Sequence, residues 1–326
     1  SARWGVPVPV YLEPLERGLA RLLDANPEEV SRRRAWIQAL GGYRFAAIPN
    51  ASRRRALRVL EQEFQFSIDP GCRESARWVL RVAWDQPIPS EPAAPPADAL
   101  WSDEHGMTMV FVQPRPRLAV GTRPKVQSAS VPFAIATTEL TRRVYRSVMG
   151  QRSASVDDDW PMTNLSATQV DAFLVELNRR TALKEDGKRP PYRLPSNEEW
   201  YTASQGDSTT HVKRPFGDDD TLVKAFAWHL ENSAEGPHPV GRLLPNDLGL
   251  FDMLGNVYER IVPRRSGLSD LFEVDRGGAY ISLAKLLVID EFIIPKKVED
   301  GAPYQGLRLA RDLTAAERSR MNARTH

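Results

Sequence analysis

Twelve residues from Gln86 to Ala97, QPIPSEPAAPPA, carry five prolines. Each proline removes a backbone donor and fixes φ, so this stretch can neither continue a helix nor sit inside a sheet, and it holds the chain extended. It divides the sequence into separately folding parts. The expected boundaries are a first domain over residues 1–86, a proline-rich linker over 87–104, a second domain over 105–313 and a tail over 314–326. The length of 326 residues suits about two domains.

Upstream of the linker, residues 13–24, 28–40 and 52–64 place apolar side chains at helical spacing. Asn26-Pro27-Glu28-Glu29 reads as a helix start, with a capping residue, a proline in the first turn and acids at the positive end of the dipole. Residues 43–48 and 79–84 have the aromatic and β-branched content of strands. The first domain is therefore expected to be small and mixed α/β. The first hundred residues of the chain hold fourteen arginines and no lysine, but ten acids in the first 86 interleave with them, which favours a solvated helix face over a phosphate-binding one. Abundant arginine and proline also fit a thermophilic or GC-rich source.

Downstream the texture changes to short strands, turns and two helices. Residues 107–113, 118–121 and 131–138 read as strands, and 141–149 and 166–180 as helices, the second opening on a capping box of Ser166 and Gln169. From Gly206 onward, glycine, proline, aspartate and asparagine recur every few residues, and a half so rich in loops needs something to order it.

Several function classes fall away. One cysteine, Cys72, cannot form an internal disulfide, a tetrathiolate zinc cage or a Cys-x-x-Cys redox pair. A net charge of +2, from 44 basic and 42 acidic residues, gives no reason to expect a nucleic-acid or anionic-membrane partner. The five histidines show no close ligand spacing. No apolar run approaches the roughly 20 residues that span a bilayer, and no signal peptide is visible at the start, so a cytoplasmic or phage- or particle-associated chain is expected.

Four segments follow in order: RLPSNEEW at 193–200, PNDLGLFDMLGNVYER at 245–260, RGGAY at 276–280 and GLRLA at 306–310. In the first, Pro195 and Ser196 make a helix entry, Glu198 and Glu199 lie in the first turn and Trp200 supplies a core anchor. In the second, Gly249 and Gly255 allow tight turns, and Asp252 and Glu259 place two hard carboxylates around a kinked loop. Such a pair suits calcium beside free carbonyls, or ordinary turn and cap hydrogen bonds. With MVFVQPRPRLAVG at 109–121 and VPFAIATTELTRRVYRSVMG at 131–150, the order and spacing resemble the formylglycine-generating-enzyme (sulfatase-modifying-factor) family, whose members carry a variant of the C-type lectin fold. The resemblance implies an α+β, C-type-lectin-like second domain. It also implies a structural calcium held by the side chains of Asp252 and Glu259 and the carbonyls of Gly255 and Val257.

The family's enzymes hold copper(I) between two cysteines lying between the RGG and GFRL-like motifs, because a soft ion needs thiolates. Between Arg276 and Arg308 this chain has none, and Cys72 lies before the linker, so no copper and no oxidase activity of that type are expected. The related iron enzymes use histidines on an N-terminal domain, yet the first hundred residues contain no histidine. The fold is retained without its chemistry, which points to binding.

The segment the family uses for its site, residues 280–304, is here unusually apolar: Leu286-Leu287-Val288-Ile289 and then Phe292-Ile293-Ile294. Its poor alternation means that these side chains cannot all face one core, so some should be exposed, unless the run is simply two core strands. The chain resembles a non-catalytic branch, the variable proteins of diversity-generating retroelements found in prophages, whose mutated segment lies between these two motifs. On that resemblance the contact residues for a protein or surface ligand are Tyr280, Ile281, Ser282, Leu283, Leu286, Leu287, Ile293, Ile294 and Tyr304, with Trp200, Arg276 and Arg308 as scaffold. The alternatives are a degenerate interaction module of a regulatory or defence protein, and an enzyme of unrecognised type.

Overall fold

A computed structural model describes residues 30–89, 100–102, 106–114, 128–152, 156–184, 191–208, 212–234, 236–262, 274–293 and 301–322. The chain divides into two units, Ser1–Ala99 and Leu100–His326.

In the first unit, α1 (Val30–Leu40), α2 (Asn50–Phe66) and α3 (Pro70–Trp78) pack around Ile37, Leu40, Leu60, Phe64, Cys72 and Leu80. Asp69 starts α3: its carboxylate accepts from Cys72 N at 2.7 Å, and Pro70 fills the first helical position, where no donor is needed. The two strands expected at 43–48 and 79–84 are instead a 3-10 turn, Phe45–Ala47, and a π turn, Val79–Ala83. Their apolar content serves burial rather than extension. Val79, Leu80 and Trp84 are core residues, and Trp84 N donates to Val79 O at 2.9 Å, wrapping the chain instead of stretching it. The described part of this unit is helical.

The second unit is α+β. A five-stranded antiparallel sheet runs in the order β1 (Leu100–Ser102), β2 (Thr108–Val112), β3 (Phe133–Ala136), β9 (Ala310–Asp312) and β4 (Tyr192–Arg193). Period-two alternation sends Val110, Val112, Phe133 and Ile135 to one face, where they meet Trp200, Met253, Leu254 and Leu287. Met109, Ala134 and Ala136 go to the other, against α4 (Arg142–Val148) and α5 (Ala167–Lys184) through Val144, Phe173 and Leu177. Both faces of β3 are therefore buried, as its four apolar residues in a row suggest. Thr141 caps α4, and the capping box expected for α5 forms between Ser166 and Gln169.

A second sheet has the order β7 (Phe292–Ile293), β6 (Asp275–Arg276), β5 (Tyr258–Arg260) and β8 (Gln305–Leu307), with β5 and β8 parallel. Between the sheets lies α6 (Asn197–Ser204), opened by a reciprocal capping box of Ser196 and Glu199, and the short α7 (Val223–Phe226) follows. Two boundaries differ from expectation: β1 lies within the expected linker, and the expected tail contains α8 (Ala315–Asn322), tied back by Arg311 to Glu317 at 2.8 Å. The helix at 13–24, its neighbour's start at 26–29, the strand at 118–121 and Ile294 lie outside the described residues.

Candidate functional site

The loop 250–259 is knotted into the domain by Asn256. Its N donates to Trp228 O at 2.9 Å, its O accepts from Tyr280 N at 2.8 Å, its Oδ1 accepts from His238 N at 2.8 Å and its Nδ2 donates to Glu139 Oε2 at 2.6 Å. Asn256 sits at φ 54°, which asparagine tolerates best among non-glycine residues. Gly255, at φ 80°, is required outright, because a Cβ there would fall 2.2 Å from Trp228 O.

Beneath this knot three carboxylates, Glu139, Asp252 and Glu259, share one guanidinium, Arg308. Arg308 Nη2 donates to Glu259 Oε1 at 2.7 Å and to Phe251 O at 2.7 Å, its Nη1 donates to Ala136 O at 2.9 Å, and Trp200 Nε1 donates to Glu259 Oε2 at 2.7 Å. Burial, with Asp252 and Glu259 nearby, holds the Glu139 carboxyl well above the ordinary range. Burial likewise pushes Asp252 up to about 6, with Glu259 adding to it and the Gly241 N–H and Arg308 opposing. Burial and crowding thus make these two carboxyls hold a proton more tightly than free ones do.

This arrangement does not fit the calcium expected at Asp252, Gly255, Val257 and Glu259. Glu259 has both oxygens engaged by Arg308 and Trp200, so a guanidinium already supplies its positive partner. Asp252 Oδ2 accepts from Gly241 N at 2.8 Å, while its buried Oδ1 has no partner among the described residues. The four acidic oxygens of the expected set thus leave one free, Asp252 Oδ1, and with the Gly255 and Val257 carbonyls that is still fewer than the six to eight that calcium takes. Among the described residues no group of three acidic, histidine or cysteine side chains is placed to hold a metal.

Past the RGG turn, the backbone of the site segment is pinned at almost every step. Ala279 N donates to Ser282 Oγ at 3.0 Å, Leu230 N donates to Ser282 O at 3.0 Å, and the buried Arg214 donates to Leu287 O at 2.8 Å and Ala284 O at 3.3 Å. Arg276 donates to Ile289 O and Glu291 O, and its guanidinium, lowered to about 10 by burial, also contacts Asn197. At Gly278, φ 77°, a Cβ would strike Leu287 Cδ2 at 2.3 Å.

On this fixed backbone the side chains divide. Ile281, Leu283 and Leu286 are 44%, 41% and 49% exposed, and Leu230, held beside Ser282, is 52% exposed. Tyr280, Ser282 and Leu287 are buried, Leu287 completely, so these three serve the scaffold. Tyr304 and Ile293 are half-buried; Tyr304 meets Tyr258 edge-on at 6.2 Å, and Tyr258 shares a 3.2 Å hydrogen bond with Ser282. The run 284–289 is not a core strand but a 3-10 turn, Ala284–Leu286, followed by alternating burial. Leu230, Arg214, Glu139 and Asn256 were not singled out from the sequence; each acts across more than 17 residues of chain, and only the acid of TTELTRR just before α4 was a visible oddity.

These two sheets, the helix between them and the long pinned loops define a C-type-lectin-like domain. Residues 102–313 match the sulfatase-modifying factor enzyme 1-like domain, and the chain belongs to that family, as its motifs imply. Treponema denticola variable protein 1 has a similar structure, with a TM-score of 0.52 at 22% identity over 67% of this chain and 100% of that one. PvdO from Pseudomonas aeruginosa follows with 0.51 at 18% identity, over 66% and 98%. A curated relative, the chaperone protein LppX of Paenibacillus barcinonensis, is 29% identical over 140 residues, 37% of this chain, and the chain spans 49% of that relative's length.

Proposed function

We propose that the second domain is a non-catalytic recognition scaffold, with a ligand-binding surface formed by Ile281, Leu283 and Leu286 and extended by Leu230. The observation that carries this reading is the contrast within one segment: a backbone fixed by Arg214, Arg276 and Asn256, and apolar side chains projecting from it into solvent. Several exposed apolar residues within one short segment on a rigid support suit a protein partner, because large apolar side chains dominate binding energy there. The absence of any cysteine between Arg276 and Arg308 argues against copper chemistry. The likeness to a variable protein favours the retroelement version, in which the 280–304 segment diversifies. A relative named as a chaperone also fits binding better than catalysis.

Incubation with copper(I) and a cysteine-containing sulfatase peptide tests the non-catalytic part. The peptide mass is expected to stay unchanged, and a loss consistent with an aldehyde would overturn the reading. For the retroelement version, a reverse-transcriptase gene beside a near-repeat of the coding segment for Arg276 to Arg308 is the expected neighbour.

A further inference from the structure

Two acids among the described residues of the first unit, Glu63 and Glu74, turn inward. Glu63 is buried and accepts from Arg33 Nε at 2.7 Å, Asp69 caps α3 and lies 3.5 Å from Arg34 Nε, and the buried Glu74 lies 3.3 Å from Arg77 Nη1. Glu63 and Glu74 therefore add little negative charge to the described surface. Arg44, Arg54, Arg55 and Arg58 are exposed and make no ion pair among the described residues.

Three of them share one face of α2. At 100° per residue Arg54, Arg58 and Arg55 fall within about 100° of arc, together with the exposed Ala51 and Gln62. Arg44 stands on the turn that Arg53 ties to the helix through Ala46 O at 3.1 Å and Ile48 O at 2.8 Å. The opposite face, with Ala56, Val59, Leu60 and Phe64, is fully used by the core. Glu61, half-buried three residues past Arg58, borders this face. Like charges one turn apart work against the helix where anions do not offset them.

We propose that this face of α2 docks the phosphate backbone of a nucleic-acid duplex. Between Ala51 and Gln62 the exposed side chains are arginine, alanine and glutamine; Leu57 is half-buried against the core, and the exposed Phe66 lies one turn beyond this face. Nucleic-acid interfaces are polar and strongly positive. Arginine without lysine supplies planar forks that match phosphate oxygens, and glutamine beside them can reach base edges. This inference is independent of the recognition surface on the second domain.

The test is fluorescence anisotropy of a labelled DNA duplex with the full chain across a salt series. The expected result is binding that weakens steeply with salt. The R54Q/R55Q/R58Q variant, all at exposed positions, should bind at least roughly tenfold more weakly with a shallower salt slope, by about 0.9 for each phosphate no longer neutralised. The R54K/R55K/R58K variant should keep the slope. R179Q/R180Q, which removes arginines already paired with Glu176, should bind like the parent. No binding at low salt, equal binding by the glutamine variant, or binding of polyglutamate but not of duplex would each overturn the proposal.

Discussion

Arg308 Nη2 donates to Glu259 Oε1 at 2.7 Å, and neither side chain meets solvent. The pair joins the final motif to the loop motif, and through Phe251 O, Ala136 O and Trp200 it fastens β3, β5 and α6 to one point. A buried ion pair of this kind adds little over an apolar substitute, but removing one partner strands a charge. Arg308→Met should therefore destabilise the domain by roughly 3–5 kcal/mol, read as a lower denaturant midpoint, and adding Glu259→Leu should recover much of that stability. A double variant no more stable than the single one would contradict the pairing.

Asp252 titrates in the same cluster. Its carboxyl is raised to about 6 from an ordinary 3.8, so the folded state holds the proton more tightly than the unfolded chain. A raised acid costs stability as pH climbs from about 4 to about 6, and the full cost persists above that. Asp252→Asn should exceed the parent in stability above pH 6 by at most about 3 kcal/mol, and lose this advantage as pH falls to about 4. Denaturation of both proteins across this range checks the sign; a difference independent of pH would count against it.

Because Arg308 supplies the positive charge that calcium would bring, chelation should leave the melting temperature unchanged, and added calcium should not raise it. A metal that binds only the folded state must shift that temperature. A fall on adding chelator would restore Asp252 and Glu259 as ligands.

The division within the site segment predicts opposite mutational costs for neighbours. Leu287→Ala, in a fully buried position against Gly278, should cost roughly 2–5 kcal/mol. Ile281→Asp, Leu283→Asp and Leu286→Asp should each change stability by no more than about 0.5 kcal/mol. Denaturant midpoints of the four variants decide this.

What the sequence made legible was what is local. The Ser166–Gln169 capping box and the helix entry at Pro195 and Ser196, with Glu198 and Glu199 in the first turn, depend on residues a few positions apart, and both form. Val79 and Trp84 misled because β-branched and aromatic content reports burial as readily as extension. Within Leu286-Leu287 no pattern distinguishes the exposed leucine from the buried one, since that choice is made by Arg214, 70 or more residues away, gripping the Ala284 and Leu287 carbonyls. Net charge concealed the basic face of α2 for a similar reason: Glu63 and Glu74 are counted in the sum but hidden in the fold.

The most direct test of the recognition surface is to sequence this gene from sibling isolates. Substitutions should concentrate at Ile281, Leu283 and Leu286, while Ser282, Leu287, Ile289 and the Gly277-Gly278 turn stay fixed. If codons for 280–304 vary no more than those for 141–180, or if Leu287 varies as freely as Leu286, the segment is not a diversified recognition surface.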